Sequence, residues 1–204
     1  TKCDLTGVTD WGRTPTLPEL AFSNCTALQE VTLPDDMKVI GTGAFFGCAA
    51  LTTVNLSQVT WINLNAFWGC TSLETLALDN VTAIGQEAFY GCTGLETLKI
   101  PKCTQFGNYI VSGCKALTRI EATAAGDFVD ISDGRSSIER TAVFHNRDSH
   151  YGDSAFNPAK CDLVLNADKK QDGNATPKVF SDNEWLVMPN GQLMRWNSIT
   201  FAQQ

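Results

Sequence analysis

Basic charge is scarce in this chain. Fifteen Lys and Arg stand against 22 Asp and Glu, leaving a formal charge of -7 and an isoelectric point near 4.7. That balance argues against a reader of nucleic-acid backbones, which needs a cationic footprint to release counterions. Long apolar runs are missing too: nothing approaches the roughly 18 residues of a membrane-spanning helix. The opening Thr1-Lys2-Cys3-Asp4 has neither the basic nor the apolar region of a signal peptide, so the chain is either cytosolic or exported by a signal that precedes this numbering. Histidine occurs twice, at His145 and His150. No G-x-S-x-G elbow, H-E-x-x-H pair or Walker loop is present. Aligning Gly173 to the sixth place of a calcium loop puts Lys170 at the third and Val179 at the twelfth, where acidic ligands are required. The compositional bias of disorder is also lacking, since hydrophobics reach 43% with 16 Gly and 7 Pro. One sizeable soluble domain is expected.

What the chain does have is self-similarity. The word Ala-Phe-x-x-Cys begins at Ala21, Ala44, Ala66 and Ala88, and a degenerate copy begins at Ile110-Val111 and keeps Gly113-Cys114. The cysteines at 25, 48, 70, 92 and 114 therefore form one column at a period of 22 to 23 residues. Leu28, Leu51, Leu73, Leu95 and Leu117 form a second; Val31, Val54, Leu76, Leu98 and Ile120 a third; Leu33, Leu56, Leu78 and Ile100 a fourth. The last two alternate with polar residues, which predicts a short strand near each of residues 29–33, 52–56, 74–78, 96–100 and 118–122. Further columns run through Val59, Val81 and Cys103, through Ile40, Ile62, Ile84 and Phe106, and through Gly41, Gly85 and Gly107 with Asn63 substituting once. Such spacing leaves no room for a helix of ordinary length, so loop, bridge or short 3₁₀ structure should close each coil. Leu5-x-x-Val8-Thr9-x-Trp11-Gly12 aligns with Leu78-x-x-Val81-Thr82-x-Ile84-Gly85, which makes residues 3–20 a first coil with extra residues between Gly12 and Ala21.

Ala-Phe-x-Gly-Cys-x-x-Leu-x-x-Val-x-Leu-Pro together with Val-Thr-x-Ile-Gly resembles the leucine-rich repeat of the bacterial surface family called BspA-like, over about residues 3–123. The resemblance implies a leucine-rich-repeat solenoid, mostly β and loop: a right-handed coil stack with a parallel sheet on its concave face and a β-rich C-terminal cap. It further implies export to the outer cell surface and a role in adhesion or in recognising a protein or glycan ligand; the missing catalytic motifs, and columns that set like beside like, lead us to expect neither enzymatic activity nor a cofactor.

The repeats make residues 1–123 the solenoid proper, and 124–204 an excursion, a last rung and a cap packed on the same domain. Residues 124–160 are rich in Asp, Ser, Gly and Arg and read as a long excursion. Cys161-Asp162-Leu163-Val164-Leu165 has strand alternation and echoes Cys3-Asp4-Leu5, adding a rung. Trp185–Met188 and Gln192–Trp196 flank Pro189-Asn190-Gly191 as a hairpin, and Ser198–Phe201 follows. A solenoid needs such a closing segment to cover its last coil.

Chemistry-bearing residues then sort as follows. In-register coils lie about 4.8 Å apart with parallel side chains, whereas a disulfide wants Cβ atoms about 3.8 Å apart and facing each other. The cysteine column, with Cys3 and Cys103, is thus expected to be packed thiols, and ligand spacing for zinc is lacking. His145 and His150 read as solvated loop. Phe46, Trp68 and Tyr90 form an aromatic row, either a structural ladder or a sugar-stacking surface. On the sheet, Glu30, Thr53, Thr75, Thr97 and Arg119 make one outward stripe, and Thr32, Asn55, Ala77, Lys99 and Glu121 the next; these are the candidate binding face. Gln86 and Asn108 are expected on the turn opposite. The preferred partner is a protein held by the sheet, the alternative a glycan held by the Phe46/Trp68/Tyr90 row, with a monomer as the default state.

Overall fold

The computed structural model describes residues 1–123, 129–130, 144, 156–166, 184–187 and 193–202. Its frame is two parallel ladders running along one stack of coils. The broad ladder takes the strands Lys2–Asp4, Glu30–Thr32, Thr53–Val54, Thr75–Ala77, Thr97–Lys99, Arg119–Ala122, Asp162–Asn166 and Ser198–Ala202. The narrow ladder takes the two-residue strands Thr16–Leu17, Val39–Ile40, Trp61–Ile62, Ala83–Ile84, Gln105–Phe106 and Val129–Asp130. Register follows the sequence columns: Glu30 pairs with Thr53, Leu76 with Leu98 and Leu98 with Ile120.

Between the ladders each coil turns through two residues with positive φ. The first column is Leu20, Gly43, Asn65, Glu87 and Tyr109; the second is Asn24, Gly47, Gly69, Gly91 and Gly113. The second falls where the Gly of the Gly-Cys motif stands, which is why glycine recurs there. The first, Gly43 apart, is formed by residues with side chains that disfavour that conformation, held by bonds to the next coil such as Asn65 N–H to the Gln86 carbonyl at 3.0 Å. Gly85 serves a different need: a Cβ there would sit 2.5 Å from the Leu64 nitrogen.

One continuous apolar core fills the interior from Leu17 to Trp196. Its spine is the Phe column, stacked at centroid distances of 5.4 Å (Phe22–Phe45), 5.1 Å (Phe45–Phe67) and 5.8 Å (Phe67–Phe89). Each column cysteine after the first donates its thiol hydrogen to the Phe carbonyl of the preceding coil: Cys48 to Phe22 at 3.0 Å, and Cys70, Cys92 and Cys114 to Phe45, Phe67 and Phe89, each at 3.1 Å. A small apolar side chain with one weak donor suits a site beside a buried carbonyl.

Several expectations change. Leu17, not Trp11, enters the Ile40 column, pairing with Ile40 in the narrow ladder. Leu17 stands four residues before Ala21, as Ile84 does before Ala88, so the extra residues lie between Leu5 and Leu17 rather than between Gly12 and Ala21. Leucine fits the closed interior, whereas the Trp11 indole is half-buried and needs an acceptor, which it finds in the Val8 carbonyl at 2.8 Å. Of the loop, bridge or 3₁₀ structure expected at the back of the coils, two-residue bridging strands are what form there. The narrow ladder also carries the coil past Ile120 to Val129–Asp130, where no sequence column signals it. Cys161 does not repeat the place of Cys3: Leu163 pairs with Ile120, because alternation buries Leu163 and Leu165 together. The rung at 162–166 forms as expected, and Ser198–Ala202 adds another beside it. Glu184–Val187 and Leu193–Arg195 pair antiparallel, while the Asn190-Gly191 turn and most of the 124–160 excursion lie outside the described residues. Trp196 is buried against Phe144 and Phe156, with centroids 5.9 and 6.0 Å away.

Phe67 is fully buried between two rings, whereas Trp68 beside it is half-buried. Phe67→Ala should therefore cost about 3–5 kcal/mol in urea denaturation, and Trp68→Ala clearly less. Equal losses would show that the inward and outward sides of the turn have been exchanged.

Candidate functional site

Alternation along the broad ladder decides what faces out. Val31, Leu76, Leu98 and Ile120 are buried, and their neighbours Glu30, Thr53, Thr75, Thr97, Arg119, Thr32, Ala77, Lys99 and Glu121 are exposed or half-buried. The two predicted stripes are therefore present, and the structure brings these side chains onto one face.

The cations on that face are satisfied locally. Lys2 pairs with Glu30, Lys99 with Asp79 at 3.8 Å, and Arg119 with Glu121 at 2.7 Å. Asn55 departs from its expected role, since its side chain accepts from the Leu33 nitrogen at 2.6 Å and donates to the Leu33 carbonyl at 2.9 Å. It ties one coil to the previous one instead of presenting an amide to a partner. Beyond residue 123, Asp162 continues the face; hydrogen bonds from Ser198 (2.6 Å) and Asn197 (2.7 Å) hold its carboxyl below the usual range.

The broad ladder is not continuous. Strands 2–4, 30–32 and 53–54 form one sheet, and strands from 75–77 onward form another. On the rungs to either side one carbonyl per coil takes two N–H groups from the next: Gln29 from Thr52 and Thr53, Glu74 from Glu96 and Thr97, and Glu96 from Thr118 and Arg119. The corresponding bonds from Glu74 and Thr75 to the Thr52 carbonyl are not made. The narrow ladder stays paired at the same level, through Trp61 and Ala83. The coils are thus hinged apart on the broad side alone, opening a cleft of about 270 Å³ lined by Thr52, Ser72, Glu74 and Thr75. Val54 beside it is half-buried, unlike the rest of its column beyond it. Of these residues only Thr75 was singled out from sequence. Gln29, Thr52, Glu74, Glu96 and Thr118 are readable as a column, but no residue type there says that two rungs part.

Phe46, Trp68 and Tyr90 do form a row. Their planes lie within 4° of parallel at 4.5 and 5.3 Å, so both faces of Trp68 are covered by its neighbours. Stacking on a sugar requires an open ring face; Trp68, at the centre of the row, has none, and Tyr90 is buried. Gln86 and Asn108 are half-buried, with the Gln86 amide 3.0 Å from the Glu87 carboxylate, and so make poor surface probes. Sequence reasoning passed over Trp61, which is 45% exposed on the narrow ladder between Val39 and Ala83.

All eight cysteines are free. Cys48, Cys70, Cys92, Cys114, Cys103 and Cys161 are buried, but Cys25 is exposed and Cys3 half-buried, against the expectation of core for both. They belong to the first coil, whose outer side no described residue covers. Burial pushes the Cys48 thiol up to about 11 and those of Cys103, Cys114 and Cys161 to about 12, and raises Cys70 and Cys92 too. These are neutral, unreactive thiols at ordinary pH. Among the described residues no three potential ligands converge on a metal position. His145 and His150 lie outside the described residues.

The sequence profile of the BspA type leucine rich repeat region matches residues 1–121 in six copies. Among solved structures, the Treponema pallidum leucine rich repeat protein is 28% identical with a TM-score of 0.50, over 52% of this chain and 51% of that one. A leucine rich cell surface protein from Faecalibacterium prausnitzii is 21% identical with a TM-score of 0.40, over 61% of this chain and 48% of that one. The matched region thus spans about half the length of each. No curated protein matches.

In the folded protein Cys25 should react with a thiol reagent, while the six buried cysteines should do so only on unfolding, and reductant should leave Tm unchanged. A thiol that titrates near pH 8.5 when unfolded and near 11 or 12 when folded leaves stability intact below about pH 8.5. Stability is lost as pH rises toward the folded value, because only the unfolded chain ionises. Tm should accordingly be level to about pH 8.5 and fall above it. The fall should be shallower in Cys92→Ala; an equal slope would assign it to other groups.

Proposed function

Because this chain belongs to the BspA-type leucine-rich repeat family, we propose that it is a cell-surface module that recognises a protein ligand across its broad ladder. One observation carries the reading: the repeats lay polar side chains in two parallel stripes, giving an extended face rather than a convergent site. Solenoids commonly offer such a surface to partners. Repetition also sets like beside like, as with Thr75 and Thr97, whereas catalysis needs unlike groups brought together. The surface location rests on the family. No helix among the described residues is long and apolar enough to cross a membrane. The glycan reading through Phe46, Trp68 and Tyr90 has less support, since both faces of Trp68 are covered and Tyr90 is buried.

The test uses a partner recovered from host-cell surface extract and its affinity for two double variants. Thr75→Arg with Thr97→Arg should abolish binding while circular dichroism stays unchanged, since both residues face outward and cross-strand repulsion costs about 1 kcal/mol at most. Gln58→Arg with Gln105→Arg, at exposed positions off the broad ladder, should leave affinity intact. The reverse pattern would move recognition to another surface.

A further inference from the structure

We infer that the split in the broad ladder seats an extended peptide segment of the partner, with a lysine or arginine side chain entering the cleft between Thr52 and Glu74. This rests on the reading of that ladder as a protein-binding face and adds to it a position and a ligand chemistry.

The split leaves three main-chain groups without the bonds their counterparts make on neighbouring rungs. The Thr52 carbonyl receives no N–H from the next coil, and the Glu74 and Thr75 N–H groups do not reach it. A peptide group of an added extended segment supplies both complements, a carbonyl for the N–H pair and an N–H for the Thr52 oxygen, as in recognition by strand addition. The side-chain lining selects what that segment carries. Ser72 and Thr75 contribute hydroxyls, and Glu74 a carboxylate that is exposed and has no ion pair among the described residues. Glu96 on the next rung is likewise exposed and without an ion pair there. Lys2, Lys99 and Arg119 on the same face are each engaged by an acidic neighbour. The free charge at the cleft is therefore negative, on a chain already at -7. An ammonium with three donors or a guanidinium with five fits a lining of acceptors. At about 270 Å³ the cleft falls below the roughly 300–1,000 Å³ of pockets for whole small molecules; it matches a single residue's side chain.

The experiment is heteronuclear NMR on the intact chain. In the free protein the Glu74 and Thr75 amides should exchange with deuterium faster than those of Glu96 and Thr97; equal protection would mean the rungs are joined and would overturn the inference. Titration with the capped peptide acetyl-Gly-Gly-Lys-Gly-Gly-amide should then shift resonances of residues 52–54 and 72–76. The same peptide carrying acetyl-lysine, or the lysine peptide on Glu74→Gln, should bind about tenfold more weakly. Shifts centred elsewhere, no shifts at all, or indifference to lysine acetylation and to Glu74→Gln would each overturn it. If the recovered partner is lost on the Thr75/Thr97 double change yet binds Glu74→Gln unaltered, the protein-binding face stands and the cleft proposal falls.

Discussion

A coil of 22 residues with no helix and only two- to five-residue strands cannot satisfy its own backbone, so it passes its hydrogen bonds to the next coil. Phe45 N–H bonds to the Ala66 carbonyl, Phe67 N–H to that of Ala88, and Phe89 N–H to that of Ile110. The rest of the molecule depends on this hand-over. It fixes the register, and the register places each residue over its own equivalent. Like-on-like columns follow: Phe on Phe, Cys beneath a Phe carbonyl, glycine or another left-handed residue at each corner.

The same constraint limits the chemistry available. Columns largely repeat a side chain, and where one sets unlike charges side by side, as Lys2 beside Glu30, the two form a surface ion pair. What varies between coils is the outward residue on the broad ladder, where packing imposes nothing and a polar pattern can be chosen freely. The cations there have been neutralised by neighbours, while the carboxylates of Glu74 and Glu96 have not. Four of the cysteines, Cys48, Cys70, Cys92 and Cys114, use their small size and one weak donor to serve the hand-over itself.

Where the hand-over fails, the molecule becomes locally distinctive. At the level of Thr52 and Glu74 the narrow ladder holds and the broad ladder opens. Asn55, next to that opening, turns its amide back onto Leu33 rather than toward the following coil. The two half-sheets thus meet at a seam, and the seam interrupts an otherwise even polar face.

The period, the strand positions, the inward columns and the outward stripes were legible in the residues, because a stack in register repeats its physical demands at a fixed interval and the sequence must answer each time. Features without a repeat were not. The place of the extra residues in the first coil turned on Leu17 fitting the interior better than Trp11. The exposure of Cys25 and Cys3 turned on which side of the first coil is covered. The rung at Val129–Asp130 is made by backbone pairing that no side-chain column announces. The seam between Thr52 and Glu74 belongs with these: it is a distance between two backbones, set by how the coils tilt, and the amino-acid types on either side would suit a closed ladder equally well.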